Sequence, residues 1–457
     1  MDDPASTDPT TTTSDEKAPA PAPVPAPTTT TLPSAPADLP AAMLLDTFYR
    51  RFFPFKDFAR WLSYANPDTL ARREFSFTLD NGIYVRFQSF DSPDELRNEV
   101  LAKRPVKIDI GAVYSVKPRQ KKTLLPGAFV PKEKELVLDI DMTDYDDIRT
   151  CCQGADICAK CWSFMTIAIQ LLDRALRDDF GFSHLLWVYS GRRGVHCWVC
   201  DEEARKLGND ARQALVRYLE VVRGGESQEK KVWLGPANAP LHPFLQDALD
   251  HVLQPAFQRV VLGDQQIFEH AAARDRMLAL LPDDAVRSRV RTAWTTLDKK
   301  YEDSISEPDL IELANAKWNI LVKSLGSYVG SSARKAEIAH LPREIVVQYT
   351  YPRLDANVTT HINHLLKAPF CVHPKTGRVC VPIDPARCAE FDPFNVPTVA
   401  GLVRELNEAM DVEAEGAPDW AKTSLKSHLQ YFKSFVDGLD LEARRKLRRE
   451  QEQSLDF

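Results

Sequence analysis

The chain has 457 residues, of which 44% are hydrophobic and 27% are charged, as is typical of a soluble globular protein. No apolar stretch approaches the roughly 18 to 20 residues of a membrane span, and the first residues lack the basic and then apolar pattern of a secretory signal. We therefore expect an intracellular protein without a membrane partner. The net charge of −7 excludes a global attraction to nucleic acid, so any such binding requires local basic patches.

The chain begins with a compositionally biased segment. Residues 1–38 consist almost entirely of Pro, Ala, Thr, Ser and Asp, and such a segment cannot bury enough apolar surface to offset the entropy lost on ordering. We therefore predict a disordered tail. From Ala41, aromatic and aliphatic residues recur at helical spacing and Pro54 interrupts them, which predicts one helix before the proline and another after it.

Alternating and helical patterns then follow one another. The elements predicted up to residue 201 are a hairpin over 73–90, strands over 106–115 and 135–141, a helix over 162–179, and a glycine-bounded hairpin over 184–201. A mainly helical stretch follows, with loops near Gly224 and Gly225 and over residues 236–244. Strand character returns over 345–355 and 378–384, and helices resume after Val399.

This order predicts a mixed α/β (α+β) fold in which a sheet is flanked by helices and a helical block interrupts the core. The predicted parts are a tail over 1–38, a core over 39–201 and 341–400, a helical subdomain over 202–340, and C-terminal helices over 401–457.

Two carboxylates, Asp139 and Asp141, lie two residues apart in the strand predicted over 135–141. Residues i and i+2 of a strand face the same side, so both side chains project from one surface. Paired carboxylates bind divalent cations, above all in two-metal sites for phosphoryl or nucleotidyl transfer. Asp355, at the end of the strand predicted over 345–355, is a third candidate ligand. The alternative at each position is a solvated acidic turn.

Two cationic groups accompany the carboxylates. Arginine forks, a hydroxyl, an imidazole and glycine-freed backbone amides form a receptor for phosphate oxygens. The first group comprises Ser190, Arg192, Arg193 and His196, and the second comprises Lys367, His373 and Lys375. Anionic metal ligands beside two cationic groups are what a nucleoside triphosphate and its metals require. The alternative for the first group is an exposed basic hairpin turn.

Four of the nine cysteines lie within eleven residues, and we call them the cysteine cluster: Cys151, Cys152, Cys158 and Cys161. The spacing of the last two is that of a zinc knuckle, so we predict a structural zinc in the loop over 151–161, although adjacent ligands at its start are unusual. A closed four-thiolate site has no open coordination position, so this zinc should stabilise the loop without taking part in catalysis. Cys197 and Cys200 lie in a strand-like run and are interpreted as buried thiols.

Other polar residues are less informative by themselves. Glu74, Tyr84, Arg86 and Asp109 lie in predicted strands, where a solvent-facing position is the ordinary interpretation. The basic run over 117–122 is a candidate contact for a nucleic-acid backbone, although a solvated loop is the more common structure, and the run over 443–450 is typical of an exposed helical face.

Several of these motifs together resemble one known family. They are the acidic run over 139–147 with the cysteine cluster after it, the segment over 190–202, and the later segments RLD, INHLLK and VHPKTGR. In this order they resemble the catalytic small subunit of archaeal and eukaryotic DNA primases, most closely the eukaryotic form, over about residues 41–400. The resemblance implies a mixed α/β catalytic core, a helical subdomain and the zinc loop.

The resemblance also implies roles for individual residues. Asp139, Asp141 and Asp355 would hold two catalytic Mg²⁺ or Mn²⁺ ions, with Glu74 also required for activity. The residues implied to bind the triphosphate are Ser190, Arg192, Arg193, Gly194, His196, Lys367 and His373. Those implied near the ribose and base are Asp109 and His364, and those implied in initiation are Tyr84 and Arg86.

The implied activity is the synthesis of short RNA primers from ribonucleoside triphosphates on a single-stranded DNA template, by a DNA-dependent RNA polymerase of the nucleus. The implied partners are the iron–sulfur large subunit of primase and DNA polymerase alpha. One alternative is a related primase-polymerase of DNA repair, against which the cysteine cluster and the helical block argue. Another is a zinc-bearing nucleic-acid-binding subunit without activity, against which the complete set of three aspartates argues.

Overall fold

The computed structural model describes residues 40–224, 228–236, 238–302, 307–410 and 417–455. The tail predicted over 1–38 and the loop residue Gly225 lie outside these residues. The first helices are α1 Ala41–Arg51, α2 Phe55–Ser63, α3 Pro67–Ala71 and α4 Pro93–Lys103. Pro54 is the N-cap residue of α2, so the predicted pair of helices around this proline is confirmed.

The first sheet contains five strands in antiparallel pairs. They are β1 Arg73–Thr78, β2 Tyr84–Gln88, β3 Lys107–Tyr114, β4 Pro131–Glu133 and β8 Leu366–Lys367, in the order β2–β1–β3–β4 with β8 also paired to β3. Alternation along β1 turns Phe75 and Phe77 into the core, where they are fully buried. The same alternation turns Glu74 and Ser76 to the opposite face, which is therefore polar.

The second sheet, also antiparallel, carries the predicted acidic strand and glycine-bounded hairpin, and both are confirmed. Its strands are β5 Leu136–Asp141, β6 Leu185–Tyr189, β7 Gly194–Val199 and β9 Pro382–Ile383, in the order β5–β7–β6–β9. Helix α5, Ala159–Asp178, supplies a long apolar face to the core. β9 is much shorter than the strand predicted over 378–384, which otherwise contributes isolated bridges at Arg378 and Val379.

The described part of residues 202–340 is mainly helical, as predicted, whereas its separation as a subdomain stays a prediction. Its α-helices are α6 Glu202–Arg205, α7 Asn209–Leu219, α8 Pro243–Ala248, α9 Gln254–Ala256, α10 Ala271–Ala279, α11 Asp284–Tyr301, α12 Glu307–Gly326 and α13 Ser332–Ile338. Two π-helical segments, Leu249–Leu253 and Phe257–Asp264, flank α9. No helix of the described ranges is long and apolar enough to span a membrane.

The strand predicted over 345–355 is wrong. Residues 345–350 lie in helix α14, Leu341–Thr350, which is buried from Glu344 onwards, and residues 351–355 lie in the connection that follows it. A short apolar run is ambiguous because a helix buried on every side has the same composition as a buried strand. The later helices are α15 Ala356–Thr360, α16 Val399–Met410 and α17 Lys426–Leu455. Short 3₁₀ helices span Pro118–Thr123, Met142–Tyr145, Pro385–Glu390 and Asp419–Lys422.

Candidate active site

The three candidate aspartates meet at the end of β5. Asp139 pairs in register with His196 of β7, and Asp141 pairs with Gly194. The backbone N–H of Asp355 donates to the Asp139 carbonyl oxygen over 3.1 Å, which brings the distant segment to this strand. Burial, followed by the negative charges of Asp141 and Asp355, raises the pKa of Asp139 to about 7. The carboxylates therefore lie close enough to repel one another.

Asp141 and Asp355 are both fixed as helix N-caps. Asp141 accepts from the backbone N–H of Thr143 over 2.9 Å, and Asp355 accepts from that of Asn357 over 3.0 Å. Asp355 thus begins α15 instead of closing a strand. The Nε of Arg193 lies 2.7 and 2.9 Å from the two carboxylate oxygens of Asp141. Arg193, expected at a triphosphate, pairs with an acidic residue in this structure.

The aspartates suit a divalent cation by their chemistry. Carboxylate oxygens are the donors that Mg²⁺ and Mn²⁺ prefer, and a cation between them would relieve the repulsion that raises the pKa of Asp139. Among the described residues, one group of three or more His, Cys, Asp or Glu side chains lies close enough together to hold a metal ion without rearrangement, and it is the cysteine cluster.

The turn between β6 and β7 is shaped by two glycines. A Cβ at Gly194 would lie 2.3 Å from the carbonyl oxygen of Ile140 on the neighbouring strand. Gly191 has a φ of +90°, and a Cβ there would lie 2.7 Å from the Cβ of His373. The turn therefore packs against both β5 and the segment of His373. The Ser190 hydroxyl, 3.0 Å from the backbone nitrogen of Gly194, closes the turn.

Cationic side chains surround this turn. Lys367 Nζ donates to the Ser190 carbonyl oxygen, which joins β8 of the first sheet to the turn of the second. The Arg192 side chain makes no hydrogen bond or ion pair to any described residue, and so it is available to a ligand. Both expected cationic groups thus lie together in the folded chain.

The two histidines of the site are held neutral. Burial, followed by the positive charges of Lys367 and Lys107, lowers the pKa of His196 to about 3. Burial, followed by the positive charges of Lys367, Arg192, Lys375 and Arg193, lowers the pKa of His373 to about 4. A neutral imidazole retains one N–H to donate to an anionic oxygen. His196 Nε2 lies 3.5 Å from Asp139 Oδ1.

The polar face of the first sheet forms the other side of the site. Asp109 pairs in register with Lys367, whose Nζ donates to the turn of the second sheet, so the two sheets meet at this point. The Ser76 hydroxyl lies 3.1 Å from Asp109 Oδ2 and 3.0 Å from the Tyr84 hydroxyl. Lys107 Nζ lies 3.1 Å from Asp109 Oδ1. Ser76 and Lys107 were absent from the sequence-based set, although their i±2 spacing from Glu74 and Asp109 could have found them.

Glu74 and Asp109 are buried, with 0% and 2% exposure, so the solvent-facing interpretation of these strand positions is wrong. Glu74 accepts from Arg86 Nε over 3.0 Å and lies 3.1 Å from the hydroxyl of Tyr114. A buried carboxylate must be satisfied in this way, because an unpaired buried charge is strongly destabilising. Arg86 and Tyr84 are exposed, as expected for strand β2.

His364 lies at the start of the segment that leads into β8. Its carbonyl oxygen accepts from Lys134 Nζ, and Lys134 is fully buried. Burial, followed by the charge of Lys134, lowers the pKa of His364. Sequence reasoning missed Lys134 because nothing in its local pattern indicates a partner 230 residues later.

The cysteine cluster lies where the sequence predicts it, directly after the acidic strand. Its sulfur atoms all lie within 4.8 Å of one another, and thiolates at that separation suit a tetrahedral zinc ion. Cys161 Sγ accepts from the backbone N–H of Cys158 over 3.2 Å at the start of α5. Arg149 holds the loop by donating to the carbonyl oxygens of Gly154 and Asp156 over 2.9 and 2.8 Å. Cys197 and Cys200 are buried thiols, as interpreted.

Clustered carboxylates beside cationic side chains at a glycine-shaped turn are typical of enzymes that transfer phosphoryl or nucleotidyl groups. Comparison with known proteins gives the family. The model of the DNA primase small subunit family matches residues 138–385. Over 415 residues the chain is 42% identical to the DNA primase small subunit of Schizosaccharomyces pombe, covering 86% of this chain and 88% of the relative.

Two other relatives agree. The chain is 41% identical to the DNA primase small subunit of Drosophila melanogaster over 416 residues, covering 87% of this chain and 91% of the relative. It is 34% identical to that of Saccharomyces cerevisiae over 429 residues, covering 92% and 98%. The chain therefore belongs to the DNA primase small subunit family, which comprises DNA-dependent RNA polymerases that make primers. The family expected from the motifs is confirmed, and its name implies a large partner subunit.

Proposed function

We propose that this chain makes RNA primers on single-stranded DNA by two-metal nucleotidyl transfer. In this proposal it acts in the nucleus, as the catalytic small subunit of a primase heterodimer in the complex with DNA polymerase alpha. The observation that carries the chemistry is the meeting of three carboxylates with a cationic turn at the junction of the two sheets. The partners and the location are expected from the resemblance to eukaryotic primases.

Asp139, Asp141 and Asp355 would hold the Mg²⁺ or Mn²⁺ ions. Bound there, the ions would lower the pKa of an attacking 3′-hydroxyl and offset negative charge on the triphosphate and the leaving pyrophosphate. The helix caps fix Asp141 and Asp355 before any ligand binds, so less ordering remains to be done in the reaction.

The cationic residues would receive the triphosphate. Arg192 has no partner among the described residues, and Lys367 and the neutral His196 and His373 present N–H groups around the same turn. Arg193 already neutralises Asp141 in the free protein. Its guanidinium would therefore turn to a phosphate only when the charge on Asp141 is balanced in another way, which couples nucleotide binding to occupancy of the acidic site.

The polar face of the first sheet would receive the sugar and base. Asp109 is an acceptor held by Ser76 and Lys107, and such an acceptor suits a ribose hydroxyl. Tyr84 shares the Ser76 hydroxyl and presents an exposed ring beside this position. His364 lies on the segment that leads to Lys367 and would border the base.

The experiment is primer synthesis from ribonucleotides on single-stranded DNA with Mg²⁺ or Mn²⁺, with and without a large subunit. Short RNA made without an added primer is the expected product. Asp139→Ala and Asp141→Ala should each reduce synthesis more than about 10²-fold while unfolding like the wild type. Asp144→Ala is the matched control, because this proposal gives the exposed Asp144 no part in holding the ions, and its loss should leave most activity. Full activity in either of the first two variants would refute the metal assignment.

A further inference from the structure

In the structure, the basic run over 117–122 has two parts with different surroundings. Lys117 Nζ lies 2.8 Å from Asp91, and Arg119 lies 2.7 Å from Glu95, so these two cations attach the segment to the start of α4. Lys121 and Lys122 are exposed and form no ion pair with any described residue. Half of the run is therefore structural, and the other half presents uncompensated positive charge.

Lys121 is held against the edge of the first sheet. Its Nζ lies 3.6 Å from the ring centroid of Phe87, and the Arg86 guanidinium carbon lies 4.8 Å from the same centroid. The Phe87 ring of β2 thus contacts one cation of its own strand and one of the 3₁₀ helix Pro118–Thr123. Phe129 packs edge-on against Phe87 at 5.8 Å and stacks on Tyr114 at 3.9 Å, which ties this surface to the sheet.

A distortion of β2 produces this arrangement. The pairing of β2 with β1 shifts between Phe75 and Phe77, and Phe87 has a φ of +60°, which is unfavourable for a bulky side chain. The buried Glu74 stabilises the distortion, because it accepts from Arg86 Nε over 3.0 Å and from the Phe87 backbone N–H over 3.4 Å. Bulges at sheet edges commonly re-aim side chains beside active sites.

We propose that Arg86, Lys121 and Lys122, which we call the basic edge, bind the sugar–phosphate backbone of a single-stranded polynucleotide as it leaves the active site. Arg86 of the basic edge pairs with Glu74, which lies on the polar face that also carries Asp109, so the basic edge continues the candidate active site. This inference rests on the proposed primase activity, because that activity is what would bring a polynucleotide strand to the basic edge.

The shape of the basic edge favours a strand over a small anion. Two of its cations, Arg86 and Lys121, contact an aromatic ring at the edge of a sheet, and Lys122 follows next in the chain, whereas a phosphate pocket converges its donors on one point. Exposed apolar side chains accompany the cations, namely the half-exposed ring of Tyr84 and the 81% exposed Leu125. Polynucleotide grooves combine cations that follow the backbone with side chains that contact bases. In a chain of net charge −7, such local charge is what an anionic strand can use.

The test measures binding of the full chain to fluorescent 30-nucleotide oligo-dT and oligo-U over a range of salt concentrations. Each lysine–phosphate contact in a single strand contributes about 0.7 to the slope of log K against log salt. The double variant Lys121→Ala/Lys122→Ala should therefore reduce that slope by about 1.4. Replacing both lysines by arginine should restore it. The matched control is Lys299→Ala/Lys300→Ala, an exposed pair on α11 with the same charge change, which should bind like the wild type.

A reduced slope with oligo-dT assigns the basic edge to the template, and one with oligo-U alone assigns it to the RNA strand. In priming reactions the double variant should raise the KM for template and leave the KM for nucleotide unchanged. An unchanged slope with both oligonucleotides, or no binding by the wild type at low salt, would overturn the inference. Because binding needs no catalysis, a reduced slope in a chain that makes no primers would refute the proposed function alone.

Discussion

Gly194→Ala tests whether the close approach of β7 to β5 builds the active site. Gly194 was singled out as a nucleotide-binding residue, and the structure gives it a steric reason. A Cβ at this position would lie 2.3 Å from the carbonyl oxygen of Ile140, whereas Cβ atoms in proteins keep at least 3.0 Å from such an atom. The obstacle is backbone, so no side-chain rotation can relieve it.

The size of the effect follows from this distance. The two strands must separate by at least 0.7 Å, the difference between 3.0 and 2.3 Å, at the residue pair Asp141 and Gly194. Overpacking of this kind costs about 1 to 3 kcal/mol of folding free energy. A displacement approaching 1 Å between reacting groups costs roughly 10²-fold in rate. We therefore expect a folded variant, modestly destabilised, with primer synthesis reduced about 10²-fold.

The assay compares the rate of primer synthesis with urea denaturation. Gly438→Ala is the matched control: it lies inside α17 with no atom within 4 Å of the added Cβ, and the change should slightly stabilise the helix and leave activity intact. The reasoning fails if Gly194→Ala retains wild-type activity and stability. It fails equally if the variant loses activity only in proportion to the unfolded fraction.

Two further predictions concern stability. Burial lowers the pKa of Lys134 to about 7 from its ordinary 10.5, so between these pH values the unfolded chain binds more protons than the folded one and the free energy of unfolding should rise with pH. Lys134→Met should remove up to about 1.4 kcal/mol of that rise per pH unit, and parallel urea-denaturation profiles of the two proteins from pH 7 to 9 would contradict this. The charged groups that face Lys134 are Arg212, Glu135, Arg73 and Glu74. For the cysteine cluster, purified protein should contain about one zinc per chain, and chelation or Cys158→Ser should remove the metal and lower the melting temperature. Cys197→Ser should keep the metal, and a chain that retains its melting temperature after complete chelation would refute a structural zinc.

Local sequence patterns predicted the parts of the fold that depend only on residues close together in the sequence. Alternation placed Asp139 and Asp141 on one strand face, and glycines at 191 and 194 marked the turn between two buried strands. Both predictions depend on the strand period of two and on turn chemistry, which neighbouring side chains do not change. The spacing of the cysteine cluster was informative for the same reason.

Long-range pairing could not be predicted in this way. Residues 345–350 are buried on every side, so their apolar run carried no helical period and was mistaken for a strand. Asp355 was nevertheless identified as a candidate because its residue type and the family motif did not depend on that secondary structure. The pairs Arg193–Asp141 and Lys134–His364 join residues distant in sequence, and only the folded chain reveals them.

In the acidic site, the same aspartate can be both a turn residue and a candidate metal ligand. Asp141 and Asp355 do end or begin elements, since each caps a helical turn through a backbone N–H. A cap uses one lone pair of a carboxylate that has about four acceptor positions, so the other positions of Asp355 stay available to a cation. At Asp141 the Thr143 hydroxyl and Arg193 use further positions, so Arg193 has to turn away before a cation binds there. Asp139 caps no helix, and its side chain is the most buried of the three aspartates. Burial and the negative charges of Asp141 and Asp355 therefore raise its pKa. Backbone N–H groups thus hold two of the aspartates, and strand β5 holds the third. The acidic site therefore has its geometry before a ligand binds.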